Sequence, residues 1–146
     1  MDGILVQLPT PEGRSVTGMY YAESILPTVM KAFQEKRIER KLHIHHDNAP
    51  AHRSAVVTDY LEENDIVLVP HSAYSPDLAP CDFWLFPILK DKLRGTHYSS
   101  RHALGTAIFQ CLQHIPKEDF AACFAQWKHR LQKCINLGGE YVERVD

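Results

Sequence analysis

Apolar residues along this chain repeat with two different periods, and the changes from one to the other mark its elements. Residues 3–8, Gly-Ile-Leu-Val-Gln-Leu, form a short β-type run closed by the turn formers Pro9, Pro11 and Gly13. Thr17 then suits a helix cap, and Tyr21, Ile25, Val29 and Phe33 follow at i+4 intervals. Pro27 falls inside that stretch, which predicts a kink or two shorter helices. Residues 42–46 and 66–69 read as strands, the second stopped by Pro70. Between them, residues 52–63 form an amphipathic pattern with Val56, Val57, Tyr60 and Leu61 inward. The order strand, helix, strand, helix, strand predicts an α/β fold with right-handed crossovers and a partly parallel sheet.

From residue 82 onward the pattern is helical: 82–93, 100–114 and 117–137. Gly95 stops the first of these, Ser99 or Ser100 caps the second, and Pro116 opens the third where a missing N–H does no harm. Gly138-Gly139 ends the last one. Phe120, Phe124, Trp127, Leu131 and Ile135 lie along it at i+3/i+4 spacing and predict a packing face.

The chain is 146 residues long, one domain's worth, and its 45% apolar content supports a core. A formal net charge of −2 removes any bulk positive field, so contact with nucleic acid would need a local patch. Lys90, Lys92 and Arg94, with His97 and Arg101, form the densest such patch; it suits a DNA backbone or an ordinary solvated face. Cys81, Cys111, Cys123 and Cys134 lack zinc-ribbon spacing and fit reduced thiols in an intracellular protein. No apolar run approaches the roughly 18 residues of a membrane span, and the first residues do not read as a signal peptide.

The candidate chemistry lies in two aspartates. Asp47 follows the strand 42–46 directly, at the carboxyl edge where open α/β sheets gather ligands. Asp82 opens a helical stretch stiffened by Pro76 and Pro80, so its carboxylate faces the positive end of the helix dipole. Two carboxylates with water and phosphate oxygens suffice for one Mg²⁺. Each also has a purely structural reading, Asp47 as an Asx-turn and Asp82 as an N-cap. His46 and His52 flank Asp47 and either orient it, touch phosphate, or simply pack. Asn48 suits a side-chain bond that fixes the turn. Phe83, Trp84, Leu85 and Phe86 read as core rather than as a base-stacking platform.

Longer motifs surround both acids: HHDNAPAH at 45–52, YSPDLAPCDFWLF at 74–86 and CINLGGEYVE at 134–143, with 34 residues between Asp47 and Asp82. Together they resemble the mariner-type transposases of the DDE/D superfamily. The resemblance implies an RNase H-like fold, N-terminally truncated, with about three strands of the mixed sheet and a helical C-terminal part. Residues 1–146 would then be a partial catalytic domain. It makes Asp47 and Asp82 the second and third catalytic acids and ligands of Mg²⁺ or Mn²⁺, with Tyr74 and Ser75 shaping the site wall. It also implies DNA as partner, a nuclear location, and metal-dependent DNA strand cleavage and transfer.

Two departures qualify what the resemblance implies. Ser72-Ala73 stands where the family usually has Pro-Pro, and no counterpart of the family's first aspartate is found; Asp2 is a poor substitute. The expectation is therefore weakened or lost metal binding and an inactive isolated chain, the alternative being a non-catalytic DNA- or protein-binding module of transposase origin. Residues 3–8, short of neighbours, are expected to offer a strand edge to a second copy or a partner strand.

Overall fold

Proline sets the form of both helical stretches that lead into the longer helices. In the computed structural model, which describes residues 3–36 and 39–142, Thr17 Oγ1 accepts the Tyr20 amide at 3.1 Å and opens α1 (Gly18–Tyr20). A π turn, Tyr21–Ile25, comes next, and then α2 (Leu26–Glu35) with Pro27 in its first turn. The ring of Pro27 crowds the carbonyl four residues back and offers no N–H; one residue of widening before it relieves both problems. The same device recurs before Pro87, where the π turn Cys81–Leu85 precedes α4 (Phe86–Leu93). The kink predicted at Pro27 is thus a widened turn, and Asp82 occupies the second such turn.

The chain divides into two compact units, Leu5–Ala73 and Met1–Ile4 with Tyr74–Asp146. In the first, β1 (His43–His45) pairs in parallel with β2 (Val67–Val69), His43 opposite Val67 and His45 opposite Val69. The crossover between them is α3 (Ala55–Glu63), which starts after its N-cap Ser54 rather than at His52. Ala22, Leu26, Val57, Leu61 and Ile66 form this unit's core, with Leu42 and Ile44 packed against it. Leu26 and Val57 are fully buried, each contributing about 1.5–3 kcal/mol by area.

The second unit is helical. The 3₁₀ turn Pro76–Leu78 and the π turn lead through α4 to α5 (Arg101–Gln113), capped by Ser100, and α6 (Lys117–Asn136). Leu112, Ile115 and Phe120 form its core, with Ile4, Trp84, Leu85, Ile88 and Leu89 around them. Trp84 meets Phe120 edge-on at 5.1 Å, so the aromatics after Asp82 are packing residues, although Phe86 stays exposed.

Two sequence expectations need correcting. Residues 3–8 form no strand: Gly3 takes φ +75°, no ladder reaches the segment among the described residues, and Ile4 packs into the helical core. A β-type run becomes a strand only where a neighbour satisfies its backbone groups. The partner edge expected there is therefore not a strand edge. The face of α6 is also rotated from the apolar stripe. Phe120, Cys123 and Arg130 are buried, whereas Phe124, Leu131 and Ile135 are exposed, Ile135 to 71%. Asp2, Arg37, Ile38 and Glu143 lie outside the described residues.

Candidate metal and nucleic-acid site

Asp47 emerges from the C-terminal end of β1 into a turn that it closes itself. Its Oδ1 accepts the Ala49 amide at 3.1 Å and His52 Nδ1 at 2.8 Å. Both bonds fall on one oxygen, which fixes the rotamer and leaves Oδ2 without a hydrogen bond among the described residues. The side chain remains 64% exposed. The Ala49 amide first, and the His52 ring after it, hold the Asp47 carboxyl below its usual range, so it is an anion at neutral pH. The Asx-turn reading is therefore correct, and the same turn presents a free, charged oxygen to solvent.

His52 is held in turn. Its ring stacks on His46 at 4.5 Å and 9°, and Tyr21 lies 4.6 Å from it. Tyr21 Oη and His46 Nδ1 share a hydrogen bond at 3.2 Å. Burial, followed by the neighbouring His52, lowers His46 to a pKa of about 4, and it is neutral at pH 7. Burial and the Asp47 charge push Tyr21 upward, so its hydroxyl keeps its proton. Sequence reading placed Tyr21 only in the apolar stripe; the signal available was that a buried tyrosine hydroxyl needs a partner.

Asn48 Nδ2 donates to the His71 carbonyl at 2.9 Å, and His45 Nε2 meets His71 Nδ1 at 3.2 Å. These bonds tie the exits of β1 and β2 together. A cleft of about 500 Å³ opens beside them, lined by His46, Asp47, Asn48, His52, Arg53 and His71, with Leu61, Ile66 and Leu68 among its apolar walls.

Asp82 is built by different means. The residues before it form a rigid corner: Tyr74 takes φ +54°, a conformation unusual for a tyrosine, and is wholly exposed. Ser75 precedes the 3₁₀ turn with φ −120°. Asp82 is exposed; its amide bonds to the Ala79 carbonyl at 2.9 Å, and its carboxylate accepts no hydrogen bond and forms no ion pair among the described residues. It is thus not an N-cap. Pro80 holds that position without a side-chain cap.

The residues that fix this corner went unread in the sequence. Asp77, 4% exposed, accepts the Val142 amide on Oδ2 at 2.8 Å. Trp127 Nε1 donates to the Leu78 carbonyl at 2.8 Å. Asp77 reads as one more loop acid in sequence, and Arg130 as a solvated cation on α6.

Of the basic patch, Lys90 and Lys92 stand exposed in the last turn of α4, complementing its dipole, and Arg94 caps that helix 3.7 Å from Asp91. No group of three or more metal-binding side chains comes together among the described residues. The donors at Asp47 and Asp82 are hard oxygens, the type that Mg²⁺ and Mn²⁺ take.

Comparison with known proteins agrees with this architecture. The Mariner Mos1 transposase of Drosophila mauritiana is 29% identical over 97% of the chain, which spans 42% of that relative's length. The Mos1 transposase catalytic domain, solved with raltegravir and Mn, superposes with a TM-score of 0.87 at 27% identity, over 97% of this chain and 72% of that one. The chain resembles the mariner-type transposases in both sequence and fold. It has the RNase H-like fold of that catalytic domain, reduced here to a small parallel sheet among helices. A Mos1 paired-end complex with the left transposon end matches equally well, with a TM-score of 0.88, 29% identity, and coverage of 97% and 42%. No protein-family model matches the chain. Among the described residues, no helix is long and apolar enough to cross a membrane.

Proposed function

We propose that Asp47 and Asp82 are divalent-metal ligands of mariner-type DNA strand-transfer chemistry, and that DNA is the macromolecular partner. The observation that carries this reading is the state of Asp47: one carboxylate oxygen doubly held, the other free, and the group kept anionic. A metal bound by such acids stabilises the attacking and leaving oxygens of an in-line phosphoryl transfer. The chain's own contribution is to hold Asp47 by Ala49 and His52, to shape the loop through Tyr74 and Ser75, and to present Lys90, Lys92 and Arg94 to phosphates. A nuclear location is part of the same proposal, because chromosomal DNA would be the substrate.

We further propose that the chain alone does not cut DNA. Two-metal transfer needs a carboxylate bridging ions about 3.5–4 Å apart, and no motif in this sequence supplies one. Incubation of supercoiled plasmid with the chain in Mg²⁺ or Mn²⁺ tests this beside Asp47→Ala and Asp82→Ala. No nicking is expected from any of the three. Nicking by the parent that vanishes in both variants would show that a further acid completes the site, and would overturn the proposed inactivity. Salt-sensitive retention on duplex DNA, reduced by replacing Lys90, Lys92 and Arg94 with alanine, tests the DNA partner separately.

A further inference from the structure

Arg130 is a buried cation on α6, 8% exposed, with no carboxylate in ion-pair contact among the described residues. Its Nη1 donates to the backbone carbonyls of Asp77 and Val142, each at 3.1 Å, while its guanidinium lies 4.4 Å over the ring of Phe83. Those three contacts reach the 3₁₀ turn before Asp82, the residue directly after Asp82, and the C-terminal tail. Asp77 closes the circuit by accepting the Val142 amide at 2.8 Å. One turn earlier on α6, Trp127 holds the Leu78 carbonyl.

We propose that Arg130, with Asp77 and Val142, is a positioning clamp that sets the backbone of the Asp82 turn. A buried guanidinium is costly unless it is compensated, and here two carbonyls take Nη1 while an aromatic face lies against the cation. These contacts fall on either side of Asp82. The tail through Val142, 1% exposed, is by this account part of the Asp82 scaffold and not an appendage. Asp77 Oδ1 and Arg130 Nε keep no protein partner among the described residues, so the clamp's remaining polar capacity suits an ordered water between fixed walls. The inference rests on the proposed function only in naming Asp82 a metal ligand.

Amide hydrogen exchange of the full chain tests it, with Arg130→Met to keep bulk, Arg130→Lys as the conservative replacement, and Asp77→Asn as a milder second probe. The amides of Asp82, Phe83 and Phe86 report the turn, and those of α5 report global stability. In Arg130→Met the turn amides are expected to exchange about tenfold faster or more, the weight of hydrogen bonds to a charged group, while α5 changes little. Arg130→Lys should restore part of the protection. If Arg130→Met does not fold, a severalfold local acceleration in Asp77→Asn supports the clamp. Unchanged turn amides in a folded variant, or equal acceleration throughout the second unit, would overturn it. Mn²⁺ line broadening at the same amides in the parent is read independently. Its absence beside a local exchange effect would refute Asp82 as a ligand while leaving the clamp in place.

Discussion

His52 Nδ1 lies 2.8 Å from Asp47 Oδ1, on the same oxygen that accepts the Ala49 amide. That pairing converts an exposed aspartate of ordinary mobility into a carboxylate with one committed and one available oxygen. Removing the ring in His52→Ala should raise the Asp47 carboxyl pKa toward its usual value without abolishing the shift, because the Ala49 bond persists. Carbon-detected titration of the Asp47 carboxyl checks this; an unchanged midpoint would mean that the backbone amide alone sets the charge.

His46 gives a pH dependence of definite sign. Its folded pKa of about 4 lies below the ordinary 6.5, so the unfolded chain binds more protons between those values. Stability from this group is full above about pH 6.5 and declines as pH falls toward 4. Asp47, also lowered, adds its loss below the ordinary carboxylate pKa of 3.8. The ring resonances of His46 should titrate with a midpoint near 4, and urea midpoints should fall over the same interval. A His46 midpoint near 6.5 would remove the basis for that trend.

Gly18 touches the loop that follows Asp47. A Cβ there would stand 2.7 Å from Ser54 Cβ and 3.1 Å from the Ala51 carbonyl. Gly18→Ala should therefore cost about 1–3 kcal/mol by overpacking, although alanine is the better helix former. Chemical denaturation measures it, and amide shifts at 49–54 should move most.

The rotated face of α6 separates two apolar residues that look alike in sequence. Phe120→Ala should cost about 3–5 kcal/mol, whereas Ile135→Ala should stay within about 0.5 kcal/mol. Thermal melts of the two variants suffice. Comparable losses would restore the simple stripe.

Those cases show what the sequence could convey. The strands at 43–45 and 67–69, their parallel pairing and the helices were legible because period, caps and proline act locally. Asp47 was legible from its place after a strand, and the transposase motifs surrounding both acids pointed to the family. Residues 3–8 misled because a strand depends on a neighbour that the run itself does not contain. Arg130 and Asp77 were illegible for a related reason: charged residues read as solvated unless the carbonyl and amide that satisfy them, 53 and 65 residues from their partners, are known. Tyr21 showed its apolar side in the pattern and its hydroxyl only in three dimensions.

The central claim is that Asp47 and Asp82 bind divalent metal. Substoichiometric Mn²⁺ added to the labelled chain, followed by amide line broadening, tests it most directly. Broadening is predicted at residues 47–49 and 81–83, weakened at the first set by Asp47→Ala and at the second by Asp82→Ala, with each variant folded. Broadening absent from both segments, or unchanged in both variants, would contradict the account.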